Sequence, residues 1–290
     1  MKRFPLGLCH YVYDVALVEG GSVVVRVAKP ENRPMLRAAV EWASVLRLLG
    51  VPLPAILEAH LDPAPSGDLA YLVLERLPGV DLGTAYPELT SSDRIGIARS
   101  VVELQAAVGS LPLGGGFGYV SSPAGPFPRA SWPEVLQADL ERSRARMASD
   151  GPSSLIDRVG LLMADSTDYL ESLPPRAFLD DLTTKNVIVH RGALAGVVDV
   201  DAVCYGDPLY TPALTRTALA ADGEELDYVE AWLGLMDLSA DAVRAFDLYT
   251  AVFVVGFLSE HGQLFNREQP AQVSAERRDR LLQLFDSLVP

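Results

Sequence analysis

The sequence contains little cysteine and little histidine. Only Cys9 and Cys204 occur among its 290 residues, so no disulfide framework is expected and a reducing cytoplasm is the default compartment. His10, His190 and His261 do not combine with either cysteine at the spacing of a zinc site. Disulfide-stabilised secreted proteins and zinc-binding modules are therefore not expected.

Positive charge and long apolar runs are also scarce. The 24 Lys and Arg residues against 38 Asp and Glu residues give a net charge of −14, which argues against a nucleic-acid partner and permits a cationic substrate. The longest late apolar run, from Ala251 to Leu258, is far shorter than the roughly 20 residues that cross a bilayer. His10 and Asp14 interrupt the segment that a signal peptide would need. We expect a cytoplasmic protein that is a monomer or a homodimer and binds no membrane.

The order of the predicted elements indicates two unequal lobes. The length of 290 residues allows one large domain or two smaller ones, each with a substantial core. Strand patterns precede a Pro-Gly break at residues 76 to 81, and helix patterns follow it. We therefore predict an α+β fold, with a small antiparallel β-sheet lobe at 1–78 and a larger helical lobe at 79–290. The strands are predicted at 11–18, 23–28, 53–58 and 70–75, and the helices at 32–49, 92–108, 132–150, 155–170, 210–235, 239–262 and 274–288.

The most informative stretch runs from residue 178 to residue 201. Two β-branched runs flank Arg191-Gly192, as in a hairpin, and a polar loop precedes them. If Val189 pairs with Gly196, the pairing continues to Asn186 opposite Asp199, with Cβ atoms about 4.5–5.5 Å apart. An amide and a carboxylate are ligands that suit Mg²⁺. With Asp181 upstream on the loop, this set predicts phosphoryl transfer.

Arg26 and Glu41 are the candidate phosphate-binding pair. Arg26 interrupts an apolar strand, where its charge needs a partner if the strand is buried, and Glu41 lies on the helix that follows. An ion pair between them would present the guanidinium group to nucleotide phosphates. The alternative is that Arg26 faces solvent on an edge strand.

Two backbone segments are further candidates for nucleotide contacts. The loop of residues 6 to 10, with Gly7 and His10, could cover phosphates, although an ordinary entry loop is an equal alternative. The segment around Glu75 and Leu77 lies at the break between the lobes, and its backbone groups could pair with a purine edge. This role requires no particular side chain.

These residues, in this order, resemble the aminoglycoside phosphotransferase family, small-molecule kinases with the protein-kinase-like fold. The resemblance covers nearly the whole chain and rests on Asp181-Leu-Thr-Thr-Lys-Asn186, then Asp199, then Gly206-Asp207-Pro208. It implies that Asp181 orients or deprotonates an acceptor hydroxyl and that Asn186 and Asp199 hold Mg²⁺. It further implies that Arg26, paired with Glu41, binds the α- and β-phosphates of ATP or GTP.

The chain departs from that family at the start of the loop. The family usually has His-Gly where this sequence has Leu179-Asp180. Asp180 adds a carboxylate that would raise a neighbouring pKa if buried, but a solvent-facing Asp180 is the favoured interpretation. Lys185 could neutralise a transferring phosphate or simply be exposed, and Asp201 could approach the metal if its strand persists.

The function predicted from sequence is a kinase that uses ATP or GTP with Mg²⁺. Its acceptor would be a hydroxyl of a small molecule that is aminoglycoside-like, an amino alcohol or a sugar. The alternative is a non-catalytic, pseudokinase-type protein that binds a nucleotide or metabolite. Protein substrates are disfavoured because the segment between Asp199 and Tyr210 is too short for a peptide platform. Substrate contacts are expected between residues 205 and 265, with Asp227, Glu230, Glu260 and His261 as candidates.

Overall fold

The computed structural model describes residues 1–4, 10–62, 69–147, 153–265 and 269–289. Gly7 lies outside these ranges, so its predicted contact with phosphate remains a prediction. Within them, an antiparallel sheet occupies the N-terminal part of the chain, and helices with two small sheets form the rest. The predicted α+β class is confirmed.

The N-terminal sheet explains where Arg26 lies. Its strands are β1 (Lys2–Arg3), β2 (His10–Ala16), β3 (Ser22–Ala28), β4 (Ile56–His60) and β5 (Ala70–Glu75), in the order β1-β2-β3-β5-β4. The β2–β3 hairpin turns through Gly20 and Gly21, whose φ angles of 94° and 82° favour glycine. The strand predicted at 53–58 begins at Ile56, because the amide-free Pro54 precedes it. Arg26 therefore sits on a central strand.

A helix covers one face of this sheet. Helix α1 (Arg33–Leu48) buries Leu36 and Ala39 against Leu72 and Leu74 of the sheet, forming a small core of its own. The helix ends at Leu48, and Gly50, with a φ of 82°, provides the left-handed conformation common just after a helix. The helix predicted at 32–49 is thus confirmed, with one residue fewer at each end.

The helical part packs around one long helix. The described helices after the sheet are α2 (Leu82–Ala85), α3 (Ser91–Val108), α4 (Trp132–Met147), α5 (Ser153–Asp165), α6 (Thr167–Ser172), α7 (Tyr210–Asp222), α8 (Asp227–Gly234), α9 (Ala240–Ser259) and α10 (Ala275–Leu288). Helix α9 contacts α4, α5, α7 and α10. Its length and composition would suffice to cross a membrane, yet 61% of its most apolar stretch is buried inside the protein, as expected for a core helix.

Two predicted helices are interrupted. The helix predicted at 210–235 becomes α7 and α8, because Gly223 takes the left-handed conformation after α7, with a φ of 79°. The helix predicted at 155–170 becomes α5 and α6, which are separated at Ser166. The N-cap of α3 is Thr90, which forms a capping box with Asp93.

Short strands hold the loop of residues 179 to 186 between the helices. They are β6 (Val80–Asp81), β7 (Gly118–Val120), β8 (Arg176–Phe178), β9 (Val187–His190), β10 (Ala193–Val197) and β11 (Val203–Gly206), arranged as β10-β9-β6 and β7-β11-β8. Strands β7 and β11 are not among the strands predicted from the sequence. Their pairing partners are distant in sequence, so local patterns did not reveal them.

Candidate active site

The loop between β8 and β9 presents Asp181. The Asn186 Nδ2 atom donates to the backbone oxygen of Asp181 at 2.9 Å, and Thr183 Oγ1 donates to its carboxylate at 3.3 Å. The side chain is open to solvent but lies among many protein atoms. This surrounding protein, followed by the charge of Asp199, raises the pKa of Asp181 to about 6. Asp181 is thus a more basic carboxylate than an ordinary surface Asp.

The hairpin after this loop has a different register from the predicted one. Its turn is Arg191-Gly192, with φ angles of 52° and 75°, as in a two-residue hairpin turn. Val189 therefore pairs with Leu194, and the predicted pairing of Val189 with Gly196 is wrong. A bulge between Leu194 and Gly196 takes up one further residue.

The bulge changes how Asn186 and Asp199 approach each other. The Val198 amide donates to the Asn186 backbone oxygen at 2.9 Å, so Asn186 lies opposite Val198 and Asp199 lies one residue beyond. Asp199 has a φ of 63°, an uncommon conformation for a residue other than glycine. The charge of its carboxylate raises the pKa of Asp181, although Asp199 is not directly paired with Asn186 on the hairpin.

Arg26 joins the N-terminal sheet to this second carboxylate. Its Nη2 atom lies 2.9 Å from Asp199 Oδ1, 2.8 Å from Asp201 Oδ2 and 2.9 Å from His10 Nδ1. Arg26 is 6% exposed, so the alternative of a solvent-facing Arg26 on an edge strand is wrong. Asp201, which the sequence singled out less strongly, is part of the cluster.

The predicted ion pair between Arg26 and Glu41 does not form. In the ranges that the structure describes, no salt bridge joins these side chains; the charge of Arg26 is balanced by Asp199 and Asp201 instead. The physical reason is that the guanidinium group lies within hydrogen-bond distance of two carboxylates, an arrangement that offsets the cost of burying it. Glu41 is partly buried on α1.

The donor atoms around Asp199 fit a divalent cation. Ligand atoms of His10, Asp199 and Asp201 all lie within 4.8 Å of one another, and the buried Asp201 Oδ1 atom has no hydrogen-bond partner among the described residues. Burial, followed by the charge of Arg26, lowers the pKa of His10, so its ring is neutral at pH 7. Carboxylate oxygens suit Mg²⁺. Asn186 Oδ1 would be a further ligand, because the Nδ2 atom is already used.

The remaining predicted site residues are Lys185, Glu75 and Leu77. Lys185 is exposed next to Asp181, where its positive charge lowers the pKa of that carboxyl group. The Glu75 amide donates to the Ala55 carbonyl at 2.8 Å, and the Leu77 carbonyl accepts from Arg76 at 2.9 Å. These two backbone groups at the break between the lobes therefore already have protein partners.

Asp180 is half-buried, in contrast to the favoured prediction of a solvent-facing side chain. Burial, followed by the nearby charge of Asp181, raises the pKa of Asp180 to about 7. Asp139 of α4 contributes in the same direction. The alternative weighed from sequence, a pair of close carboxylates with a raised pKa, is the one that the structure supports.

The main chain at Leu179 is held by two residues that the sequence analysis missed. Gln105 of α3 accepts a hydrogen bond from the Leu179 amide at 2.9 Å and donates to the Leu179 oxygen at 2.7 Å. Thr211 Oγ1 donates to the same oxygen at 2.8 Å. One signal could have revealed Gln105: it is a polar residue on the apolar face of a helix, between Val101 and Val108.

Asp207 has a second, equally buried network. Its Oδ1 atom accepts from the Leu209 amide at 3.0 Å, which stabilises the turn before α7. Its Oδ2 atom accepts from the hydroxyls of Tyr169 and Tyr249, each at 2.9 Å. Burial raises the pKa of Asp207. This network braces the loop after β11 against α6 and α9.

Of the four predicted substrate contacts, Asp227 has a structural role. It accepts from Arg94 at 3.2 Å and from the Tyr86 hydroxyl at 3.1 Å, and so joins α3 to α8. Glu230 is exposed, and His261 accepts from the Val273 amide at 3.2 Å. The assignment of these residues to substrate remains a prediction.

Comparisons with known proteins agree with this architecture. A family model described as the phosphotransferase enzyme family matches residues 1–247, whereas no curated protein matches the sequence. Among solved structures, a thermostable mutant of aminoglycoside phosphotransferase APH(4)-Ia, in a complex with AMP-PNP and hygromycin B, is 16% identical with a TM-score of 0.66, covering 99% of this chain and 92% of that one.

Two other solved structures are similar to the same extent. The GDP complex of aminoglycoside 2'-phosphotransferase-IIIa is 16% identical with a TM-score of 0.64, covering 99% of this chain and 91% of that chain. ADP-bound APH(2'')-Ib is 12% identical with a TM-score of 0.62, covering 99% and 90%. At these identities the likeness shows the fold, while the family model spans most of the sequence. This chain therefore belongs to the phosphotransferase enzyme family.

Proposed function

We propose that this protein transfers the γ-phosphate of ATP or GTP, with Mg²⁺, to a hydroxyl group of a small molecule. The observation that carries the proposal is the convergence of Asp181 with the cluster of Arg26, Asp199 and Asp201. Phosphoryl transfer relies on positioning and charge neutralisation and asks little covalent chemistry of the protein. The complexes of similar folds with AMP-PNP, ADP and GDP support a nucleotide donor.

Asp181 is the group that receives the acceptor. An acceptor hydroxyl within about 2.6–3.2 Å of its carboxylate would be oriented toward the donor and would lose its proton as the phosphate moves. The raised pKa of Asp181 makes it a better proton acceptor than an ordinary aspartate. Lys185, exposed next to it, would offset charge on the transferring group.

Asn186 and Asp199 would hold Mg²⁺, with Asp201 able to supply a further oxygen. When bound, the ion neutralises negative charge on the β- and γ-phosphates. Arg26 already contacts the two carboxylates through Nη2, and its other guanidinium atoms would bind the α- and β-phosphates from within this cluster. Arg26 thus links phosphate binding to the metal-binding carboxylates without the help of Glu41.

The acceptor is proposed to be an amino alcohol, an aminoglycoside-like compound or a sugar. Asp180 and Asp181 are adjacent carboxylates on the same loop, and Asp139 lies close enough to raise the pKa of Asp180. A positively charged acceptor would relieve this repulsion between like charges. Among these acceptors, the structure therefore favours those that carry an amino group.

A second candidate function is nucleotide or metabolite binding without transfer. The observation that favours it is the double ion pair of Arg26, because a metal ion must compete with an existing cation for Asp199 and Asp201. Under this second function, nucleotide would bind, measured as a rise in thermal stability, but would not be consumed.

The test is nucleotide consumption over a panel of amino alcohols, aminoglycosides and sugars, with ATP and GTP and with Mg²⁺. Asp181→Asn and Asp199→Ala should each abolish turnover, whereas Asp237→Asn, a change to an exposed Asp outside the site, should leave it unchanged. Turnover in the wild type that survives Asp181→Asn would contradict the assigned role. Nucleotide binding with no turnover for any acceptor would favour the second candidate.

A further inference from the structure

The segment that precedes Asp181 is the place where the chain departs from the usual His-Gly of the family. The structure shows an unusual set of hydrogen bonds to the main chain there. Leu179 is 2% exposed and offers an apolar side chain where a His would otherwise help to brace the loop. Its backbone groups, however, are both bound by one side chain. The Gln105 Oε1 atom accepts from the Leu179 amide at 2.9 Å, and Nε2 donates to the Leu179 oxygen at 2.7 Å.

This pairing reproduces the geometry of a sheet. In an antiparallel ladder, a hydrogen-bonded pair of residues exchanges one N–H and one C=O in each direction, and the primary amide of Gln105 makes the same exchange with Leu179. Among the described strands, β8 pairs with β11 only, so its other edge faces α3. Gln105 acts there as a one-residue substitute for a neighbouring strand.

A second residue completes the set of contacts. Thr211, at the start of α7, donates from Oγ1 to the Leu179 oxygen at 2.8 Å, and Gln105 Nε2 lies 3.3 Å from the same Oγ1 atom. Gln105 is 8% exposed and Thr211 is fully buried. Water is therefore a poor substitute for either partner. Loss of Gln105 would leave the buried Leu179 amide unsatisfied, whereas loss of Thr211 would leave the Leu179 oxygen with the Gln105 hydrogen bond alone.

The position of this set relative to Asp181 gives it a functional consequence. Leu179 lies two residues before Asp181, and Asn186 binds the Asp181 backbone oxygen from the other side at 2.9 Å. The chain is thus held immediately before and at the proposed base. A misplacement of about 1 Å in such a group can cost about a hundredfold in rate.

We propose that Gln105 and Thr211 are positioning residues that fix the direction in which the loop presents Asp181 to the acceptor. This inference rests on the proposed function for its kinetic consequence, while its structural part concerns the loop alone. The pair holds the loop through the main chain of Leu179, so the identity of the side chain at 179 becomes less important than the amide at 105. Neither Gln105 nor Thr211 is proposed to contact the acceptor.

The experiment compares Gln105→Met, which keeps the length of the side chain and removes both hydrogen bonds, with Thr211→Val and Thr211→Ser. Gln137→Met is the matched control, because Gln137 lies on α4 and bonds only an exposed Glu141 among the described residues. We expect Gln105→Met to lower kcat by about tenfold to a hundredfold, with the acceptor KM and the nucleotide Kd unchanged. Thr211→Val should lower kcat less, and Thr211→Ser, which keeps the hydroxyl, should restore it.

Amide hydrogen exchange provides the second measurement, independent of turnover. The Leu179 amide and residues 180 to 186 should exchange faster in Gln105→Met than in the control, whereas the helices should not. A kcat that is unchanged, or that falls only in proportion to the folded fraction, would overturn the positioning role. If the wild type turns over no acceptor, the proposed function fails. Independently, an unchanged rate of amide exchange at residues 179 to 186 in Gln105→Met would overturn the role of Gln105 in holding the loop.

Discussion

The two ion pairs of Arg26 have nearly equal lengths but should differ in strength. The distances are 2.9 Å to Asp199 and 2.8 Å to Asp201, while the side chains of these two residues are 52% and 13% exposed. Solvent screens the first pair, and exposed pairs contribute about 0.2–1 kcal/mol. The second pair is shielded, and hydrogen bonds to charged groups contribute about 1.5–3 kcal/mol. Burial, and not distance, should decide which pair holds the lobes together.

Double-mutant cycles measure each coupling free energy separately. The variants are Arg26→Met with Asp201→Asn and Arg26→Met with Asp199→Asn, each unfolded in urea without divalent cations. We expect a coupling of about 1.5–3 kcal/mol for Asp201 and at most about 1 kcal/mol for Asp199. The cycle cancels the loss of other Arg26 contacts, including the one to His10. Added salt should weaken the Asp199 coupling more.

An exposed pair elsewhere in the chain is the control. Arg37 and Asp62 are 2.7 Å apart with side chains 50% and 82% exposed, and their coupling should be close to zero or a few tenths of a kcal/mol. Equal couplings of Arg26 to Asp199 and Asp201, or a larger one to Asp199, would refute the reasoning. The expected order would leave Asp199 the easier carboxylate for a metal ion to take from Arg26.

Three further predictions concern the loop and its supports. Because the surrounding protein and the charge of Asp199 raise the pKa of Asp181 to about 6 and only the charged form accepts a proton, kcat should fall as pH drops through about 6. An acid limb near the ordinary Asp value of about 3.9 would contradict this. Tyr249→Phe removes a donor to Asp207 and should lower the free energy of unfolding by about 1–3 kcal/mol in urea, so a cost below about 0.5 kcal/mol would count against the network. Gly79→Ala should destabilise by more than about 1 kcal/mol, because φ is 98° and a Cβ would lie 2.0 Å from a backbone oxygen. Gly96→Ala lies at an exposed helix position where an added Cβ would have no atom within 4 Å, so it should instead raise the free energy of unfolding by about 0.5–1 kcal/mol. Equal effects of the two glycine substitutions would contradict this reasoning.

Local patterns determined much of the fold. The alternation of apolar residues and the two glycines at 20 and 21 were enough for the β2–β3 hairpin, and the spacing of apolar residues was enough for α1 and α9. Patterns failed where partners are distant: β7, β8 and β11 are short, and each forms only because the others lie alongside. The break at Gly223 was also missed, since a single glycine does not reveal whether it ends a helix.

The sequence by itself was enough to predict which residues would carry the chemistry, because Asp181, Asn186 and Asp199 occur in an order and spacing that few other functions need. Tertiary structure decided their partners. Arg26 lies beside Asp199 and Asp201 and not Glu41, because lobe packing, which no local pattern encodes, brings the loop after β10 to the middle of the sheet. Burial, likewise, is a property of the folded chain. It alone separates a half-buried Asp180 with a raised pKa from an ordinary surface aspartate, and it makes Gln105 a hydrogen-bond partner of the Leu179 main chain.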